Sequence, residues 1–333
     1  MIMGLVVAAV AVGAVVFTQR GASPGETRDD TLDVVVTVPP LAELARRLAP
    51  EGSRLTVLMA PGRSEHGYEF TSTDLAALAQ ADVVVYVGLG LEPQVERFVS
   101  QHPSARRRDV CFAVAAGISA ATGETSDDHD GHDHDAHDHE DEHAHADDHG
   151  HAHGPVDQHL WLDPVLVKRL VPVLAGAIGS ALRTSGIETP DRAQHVISAE
   201  EALARQIDEI HAEYVGQLAP FAGRAIVTHH NAWSRLADRY GLRVAAVIRP
   251  IENAEPTPDQ IAAAVEALRQ RKATTIFVEP QFDSTPARKL AEAAGARVQV
   301  LDPLGTGEWF SLMRQNLAAL KAGLADAPTN PPR

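Results

Sequence analysis

The chain has 333 residues, 44% of them hydrophobic and 22% charged, which is enough for one large two-lobed domain or two ordinary domains. Its formal net charge of −16 comes from 45 acidic and 29 basic side chains. This balance excludes a general nucleic-acid binder, which needs a basic face. The single cysteine, Cys111, excludes an internal disulfide and a cysteine-rich zinc module.

The first 17 residues contain no charged side chain, and Arg20 follows this run. Its length exceeds the usual apolar core of a signal peptide and just reaches the length that spans a bilayer. We therefore interpret residues 1–20 as an uncleaved anchor or a signal peptide, with a buried core helix as the alternative. Either of the first two puts the protein in the periplasm or cell envelope, at the outer face of the cytoplasmic membrane, with residues 1–17 as its tether. A polar linker follows at 21–30.

Short β-branched runs then alternate with helical patterns. Strands are predicted at 34–38, 55–59, 82–87, 225–228, 244–248, 275–278 and 298–301. Helices are predicted at 41–48, 75–79, 164–182, 233–240, 257–271, 286–294 and 310–324. Because strands that alternate with helices form parallel sheets, the expected fold class is α/β, with two lobes that each hold a mainly parallel sheet flanked by helices.

One further helix is much longer than the others. It begins at Thr189-Pro190, and its apolar side chains recur every three or four residues, at Leu203, Ile207, Ile210, Tyr214 and Leu218. A helix of about 40 Å can join two lobes rigidly. We therefore expect a first lobe at 31–188, a linking helix at 189–218, a second lobe at 219–325 and a tail at 326–333.

A tract rich in histidine and aspartate interrupts the first lobe at 122–154. It almost lacks large apolar residues, so it cannot offset the entropy of ordering and is expected to be a disordered loop. Eleven acidic residues and no lysine or arginine lie between Asp127 and Asp148. Close spacing of imidazoles predicts weak zinc binding by ten histidines: His129, His132, His134, His137, His139, His143, His145, His149, His151 and His153.

Four possible metal ligands follow predicted strands or lie in loops between elements, namely His66, His159, His230 and Asp302. The carboxyl ends of parallel strands are where open sheets bind ligands, so these side chains would converge if the lobes face each other. Three imidazoles and one carboxylate form a full tetrahedral shell for Zn²⁺. Two alternatives stay open: Asp302-Pro303 as the start of a turn, and His229-His230 as one ligand and one neighbour.

The sequence resembles the zinc and manganese solute-binding proteins of bacterial ABC transporters, most closely the zinc-type subgroup. The matching stretches are GRSEHGYE at 62–69, ADVVVYVGLGLE at 81–92, HLWLDP at 159–164, THHNAW at 228–233, YGL at 240–242, IFVEPQF at 276–282 and VLDPLG at 300–305. They occur in the family's order and span about residues 32 to 323. The resemblance implies two lobes linked by a rigid helix, with metal held between them.

Transferred to this sequence, the family's four ligands fall on His66, His159, His230 and Asp302. The chain departs from the pattern at two places. Glu65 stands where many members have proline, which makes it a secondary ligand candidate. His229 stands where members usually have an apolar residue, so His229 is a second candidate for the third ligand, although His230 keeps the family's spacing to Asn231-Ala232-Trp233.

Histidine at the third ligand position favours Zn²⁺ over Mn²⁺, because Mn²⁺ prefers oxygen ligands. The expected function is high-affinity capture of Zn²⁺ in the interlobe cleft by a monomer, and delivery to the membrane permease of an ABC transporter. The alternatives are a manganese-binding transport protein of the same family, a metal buffer, and an envelope zinc hydrolase with Glu279 as general base or Cys111 as nucleophile. Four protein ligands would leave no open position for water, so we expect no enzyme, and Glu279 is assigned to orienting a ligand.

Overall fold

A computed structural model describes residues 30–66, 68–118, 157–249, 256–270 and 273–325. The predicted anchor or signal segment, the histidine-rich tract with its ten histidines, and the tail lie outside the described residues.

The first lobe contains a parallel four-stranded sheet in the order β2-β1-β3-β4. Its strands are β1 (Asp33–Val36), β2 (Arg54–Val57), β3 (Val83–Tyr86) and β4 (Arg108–Cys111). The central strands β1 and β3 consist mostly of buried valines, as expected for strands covered on both faces.

Five helices flank this sheet: α1 (Ala42–Leu48), α2 (Ser72–Gln80), α3 (Pro93–Gln101), α4 (Phe112–Ala115) and α5 (Pro164–Thr184). The 21 residues of α5 are long and apolar enough to cross a membrane. Its buried face, however, belongs to the main hydrophobic core, and it packs against β3, β4 and α1. We therefore describe α5 as the core helix of the first lobe.

The long helix α6 (Pro190–Leu218) has 29 residues. Thr189 caps its first turn, and Pro190 stands at the first helical position, where a missing N–H is tolerated. The helix contacts α1 and α5 of the first lobe, and it also contacts α10 (Trp309–Leu324) of the second lobe. Its predicted apolar stripe is buried and includes Tyr214, whose hydroxyl donates to the Met313 carbonyl at 2.7 Å.

The second lobe repeats the architecture of the first, with strand order β6-β5-β7-β8 in a parallel sheet. The strands are β5 (Ala225–Thr228), β6 (Arg243–Val247), β7 (Thr275–Val278) and β8 (Arg297–Val300). The helices are α7 (Ser234–Arg239), α8 (Pro258–Gln270), α9 (Thr285–Ala294) and α10 (Trp309–Leu324). The predicted fold class is confirmed, and three elements were not predicted from the sequence patterns, namely α3, β4 and the one-turn helix α4.

The loop after β3 supports the segment that carries His159. Gly88, Leu89 and Gly90 all have positive φ, at 85°, 59° and 78°. A Cβ on Gly88 would lie 2.6 Å from the Cys111 sulfur, so glycine is required there. The carbonyl of Leu89 accepts a hydrogen bond of 2.7 Å from Gln158 Nε2, which fixes the residue next to His159. Cys111 is thus packed against this loop, and burial raises the pKa of its thiol, which disfavours a nucleophilic thiolate.

The buried stripe of α6 should carry much of the stability of the two-lobed structure. We expect Ile207→Ala, at a side chain 1% exposed, to lower the free energy of unfolding by about 2–5 kcal/mol, because it leaves a cavity. Ile197→Ala removes the same atoms from a residue of the same helix that is 52% exposed, and should change stability by less than about 0.5 kcal/mol. Urea unfolding of both variants measures the difference, and equal losses would contradict this account of α6.

Candidate metal centre between the lobes

Four side chains from both lobes meet at one place. One possible ligand atom from each of Glu65, His66, His159 and His230 lies within 4.8 Å of the others. His159 Nε2 is 2.7 Å from Glu65 Oε1 and 3.1 Å from His230 Nε2. Glu65 Oε1 is also 3.8 Å from His230 Nε2 and 4.0 Å from His66 Nε2. Tetrahedral ligands of Zn²⁺ are separated by about 3.4 Å, which lies within this range.

Local structure explains why these four residues meet. Glu65 and His66 lie in the loop between β2 and α2, and His230 lies two residues after the end of β5. His159 precedes a short 3-10 turn, Leu160–Leu162, that leads into α5. Three of the four residues are buried, whereas the side chain of His66 is 26% exposed, so solvent reaches the group from the side of His66.

Each of the two buried histidines is held by a carboxylate. Nδ1–H of His159 donates to Asp157 Oδ1 at 2.9 Å, and Nδ1–H of His230 donates to Glu279 Oε2 at 2.5 Å. A carboxylate can only accept, so these bonds place a proton on each Nδ1 and direct both Nε2 atoms to the common site. Carboxylates that orient histidines in this way are typical of metal centres.

Without a metal, His159 carries a positive charge. Burial by itself lowers its pKa, but hydrogen bonds to Asp157 and Glu65 outweigh burial and raise the pKa to about 10. Burial likewise raises the pKa of Glu65, and the hydrogen bond from His159 and the neighbouring histidines outweigh it and lower that pKa to about 2. A buried imidazolium thus stands where a cation would bind.

His66 has the opposite environment. Burial and the positive charge of His159 lower its pKa to about 4, although Glu65 partly compensates. The His66 imidazole is therefore neutral at physiological pH and has a lone pair available for a metal. Its ring packs edge-on against His159 and His230, with centroids 5.3 and 5.6 Å away.

Asp302 does not join this group of side chains. Its Oδ1 accepts hydrogen bonds from Gln281 Nε2 at 2.7 Å and from the backbone N–H groups of Leu304 and Gly305 at 3.0 Å each. Its carboxylate therefore stabilises the turn that follows β8, which is the alternative that the Asp302-Pro303 sequence left open.

His229 also lies outside the group. Its ring packs at a tilt against that of Phe282, with centroids 4.9 Å apart, and burial lowers its pKa. His230, its neighbour, points to the common site. Glu279 is 2% exposed and contacts both His230 and Trp233 Nε1, the latter at 3.2 Å, so it holds a histidine and faces no open cleft.

The sequence patterns did not single out Asp157. Its Oδ1 accepts hydrogen bonds from both the backbone N–H and the ring of His159, each 2.9 Å long. An aspartate that accepts from the backbone N–H two residues later is a common local turn, so an Asp-x-His sequence before a suspected ligand is the signal that could have found it.

Four convergent donors between two α/β lobes define a binding protein for a divalent metal ion, with its site in the interlobe cleft. A family model described as "ZnuA: Zinc-uptake complex component A periplasmic" matches residues 34–323, and the chain belongs to this family. This membership confirms the expectation of a binding protein that is not an enzyme and that lies outside the cytoplasm.

Proteins related in sequence agree with the family assignment. The chain is 26% identical over 302 residues to the zinc-binding lipoprotein AdcA of Streptococcus pneumoniae, and the match covers 88% of this chain and 56% of that protein. The chain thus spans little more than half the length of this streptococcal relative. It is also 26% identical over 277 residues to the high-affinity zinc uptake system protein ZnuA of Yersinia pestis. That match covers 82% of this chain and 83% of that protein.

Solved structures share the fold. One described as "Crystal structure of 138-173 ZnuA deletion mutant plus zinc bound" superposes with a TM-score of 0.68 at 22% identity, and covers 90% of this chain and 100% of that chain. The periplasmic zinc binding protein TroA from Treponema pallidum superposes with a TM-score of 0.66 at 20% identity, and the match covers 88% of this chain and 99% of that chain.

The charge on His159 can be tested in the metal-free protein. We expect its ring to stay doubly protonated between pH 7 and pH 9, because its pKa is raised to about 10 by the Asp157 and Glu65 carboxylates. Asp157→Asn removes one of these carboxylates and should move the pKa down toward the ordinary value near 6.5. Side-chain nitrogen NMR, assigned with His159→Gln, measures both. Titration of His159 near pH 6.5 in the unaltered protein would disprove this charge assignment.

Proposed function

We propose that this protein captures Zn²⁺ between its lobes, outside the cytoplasm, and delivers it to the membrane permease of an ABC transporter. The observation that carries the proposal is the group of three imidazoles and one carboxylate that face one another across the interlobe cleft. Such a donor set suits Zn²⁺, whereas Mn²⁺ would favour more oxygen ligands. The streptococcal and Yersinia relatives, a zinc-binding lipoprotein and a high-affinity zinc uptake system protein, support the same ion.

The proposed ligands are Glu65, His66, His159 and His230. Glu65 takes the place that the family resemblance gave to Asp302, because its carboxylate contacts His159 whereas that of Asp302 is engaged in a turn. Asp157 and Glu279 orient the two buried histidines. Since His159 is protonated in the metal-free site, binding of Zn²⁺ must displace its Nε2 proton, which makes the affinity fall as the pH falls.

The proposal keeps the division into lobes at 31–188 and 219–325 around a linking helix at 189–218, and a monomer as the working form. It assigns the histidine-rich tract at 122–154 to a separate role as a weak zinc store beside the cleft. The tract ends just before Asp157, so ions that it holds are tethered near His159 and raise the local concentration of zinc.

Ligand substitutions test the proposed site. We expect His230→Ala to raise the Zn²⁺ dissociation constant by more than about 100-fold. Loss of a ligand should exceed the roughly 10–100-fold effects that are typical when a residue hydrogen-bonded to a ligand is lost. The neighbouring His229→Ala and the turn variant Asp302→Asn should each change it by less than about tenfold, since neither contacts the group. Competition titration with a zinc chelator measures all three. A loss of affinity in Asp302→Asn as large as that in His230→Ala would restore Asp302 to the ligand set.

Deleting residues 124–154 tests the role of the tract. The deletion should leave one tight zinc site and remove the weak ones, because a segment with almost no large apolar residues loses conformational entropy when it orders around an ion, whereas the cleft is already folded. Calorimetric zinc titration of both forms gives the number and strength of sites, and circular dichroism checks the fold. Loss of the tight site from a folded deletion variant would mean that the tract supplies essential ligands.

A further inference from the structure

The short segment that carries His159 is held by the second lobe at every other residue. This bridging segment, residues 157–163, belongs to the first lobe and continues into α5. Asp157 Oδ2 accepts from the backbone N–H of Arg235 at 3.2 Å, and Trp161 Nε1 donates to the Pro303 carbonyl at 2.6 Å. Asp163 pairs with Arg239, and His159 meets His230. Every second residue of the bridging segment, at 157, 159, 161 and 163, therefore contacts the second lobe.

Two of these contacts involve arginines of α7. Arg235 and Arg239 are four residues apart, so they lie on the same face of the helix. Arg235 Nε donates to the Asp157 carbonyl at 2.9 Å. Arg239 donates through Nε and Nη2 to the Asp163 carboxylate, with a shortest distance of 2.6 Å. One helix face thus binds the bridging segment on both sides of His159.

The Arg239–Asp163 pair has the geometry of a strong interaction. The side chain of Asp163 is buried, with 3% of its surface exposed, whereas that of Arg239 is 33% exposed. The same carboxylate caps α5 by accepting from the backbone N–H of Val165 at 2.9 Å. A bidentate, charge-assisted contact to a buried carboxylate fixes orientation as well as distance, in contrast to an exposed ion pair.

The position of α7 connects this contact to the metal centre. The helix starts four residues after His230, and the bridging segment contains His159. A helix that is locked onto the bridging segment therefore also fixes the separation of two proposed ligands that come from different lobes. Asp157 completes the connection, since one carboxylate oxygen holds the His159 ring and the other accepts from α7.

We infer that Arg235 and Arg239 are positioning residues that clamp the bridging segment and hold His159 against His230 before the metal arrives. The inference rests on the proposed function, because it assumes that both histidines bind the ion. A clamp of this kind keeps the interlobe half of the site organised, so less freedom is lost when the ion binds. Its removal should act mainly on metal release, since mutations within one binding site mostly change dissociation rates.

The test compares Arg235→Gln, Arg239→Gln and the double variant with the unaltered full chain, using Zn²⁺ alone and stopped-flow transfer to a chelator. We expect each single variant to raise the zinc dissociation rate on the order of 10- to 100-fold, the range typical of partners outside the ligand shell. Arg314→Gln is the matched control, because Arg314 makes a bidentate contact to Glu213 on α6, away from the bridging segment, and should leave the rate unchanged.

Two further readouts separate positioning from a general loss of structure. In the metal-free protein, hydrogen exchange of the backbone N–H groups of His159 and Arg235 should accelerate by about tenfold or more in Arg239→Gln, while amides in β5 and β7 keep their protection. The Co²⁺-loaded variants should show altered ligand-field bands. Arg239→Lys keeps the charge but loses the bidentate geometry, so it should restore the dissociation rate only in part.

Unchanged release rates and unchanged exchange in folded Arg235→Gln and Arg239→Gln would overturn the clamp even if the unaltered chain binds zinc tightly. If Arg239→Gln does not fold, Arg235→Gln decides the matter, because it leaves the Asp163 cap of α5 in place. Absence of a tight site in the unaltered chain would instead reject the proposed function, and the exchange measurements on metal-free protein would still report on the clamp.

Discussion

A hydrogen-bonded row of ionisable side chains crosses the cleft, and the rest of the site depends on it. It runs from Asp157 through His159 to Glu65 and His230, and ends at Glu279. The three carboxylates bring a formal charge of −3 into a buried region, and the imidazolium of His159 compensates only part of it. Buried charge is costly unless it is paired, so the row favours an incoming cation. A divalent ion that replaces the proton at His159 Nε2 compensates more of this charge.

The choice between Glu65 and Asp302 shows where sequence reasoning reaches its limit. Both are acidic residues in loops at the carboxyl ends of strands, so strand order alone makes either a candidate. The two differ in whether nearby backbone N–H groups already donate hydrogen bonds to the carboxylate. Asp302 is followed by Pro303 and a turn whose backbone N–H groups donate to its Oδ1, whereas Glu65 lies in an irregular loop and its carboxylate contacts His159. The side-chain partners of each carboxylate, and not its position along the chain, are what support Glu65 as the proposed ligand.

Most of the fold was predictable from the sequence because its main elements have strong periodicity. The stripe along α6 and the valine runs of β1 and β3 are long or apolar enough to be unambiguous. In helix α3 only Val95 is fully buried, with Phe98 and Val99 half-buried beside it, and β4 contains the polar pair Arg108-Asp109 with one buried residue, Val110. An edge strand with so little apolar surface is defined by its pairing with β3, which no local pattern encodes.

The same structure constrains how an ion can enter or leave. A continuous helix of 29 residues contacts both lobes, and the bridging segment holds them together on the side of His159 and His230. Those two histidines and Glu65 are buried, whereas the His66 side chain is partly exposed and lies between β2 and α2, in a loop that forms neither strand nor helix. Regular elements joined by many buried contacts resist displacement more than such a loop does. The loop that carries Glu65 and His66 is therefore the least constrained part of the candidate metal centre, while α7 and the bridging segment hold His159 and His230 in register.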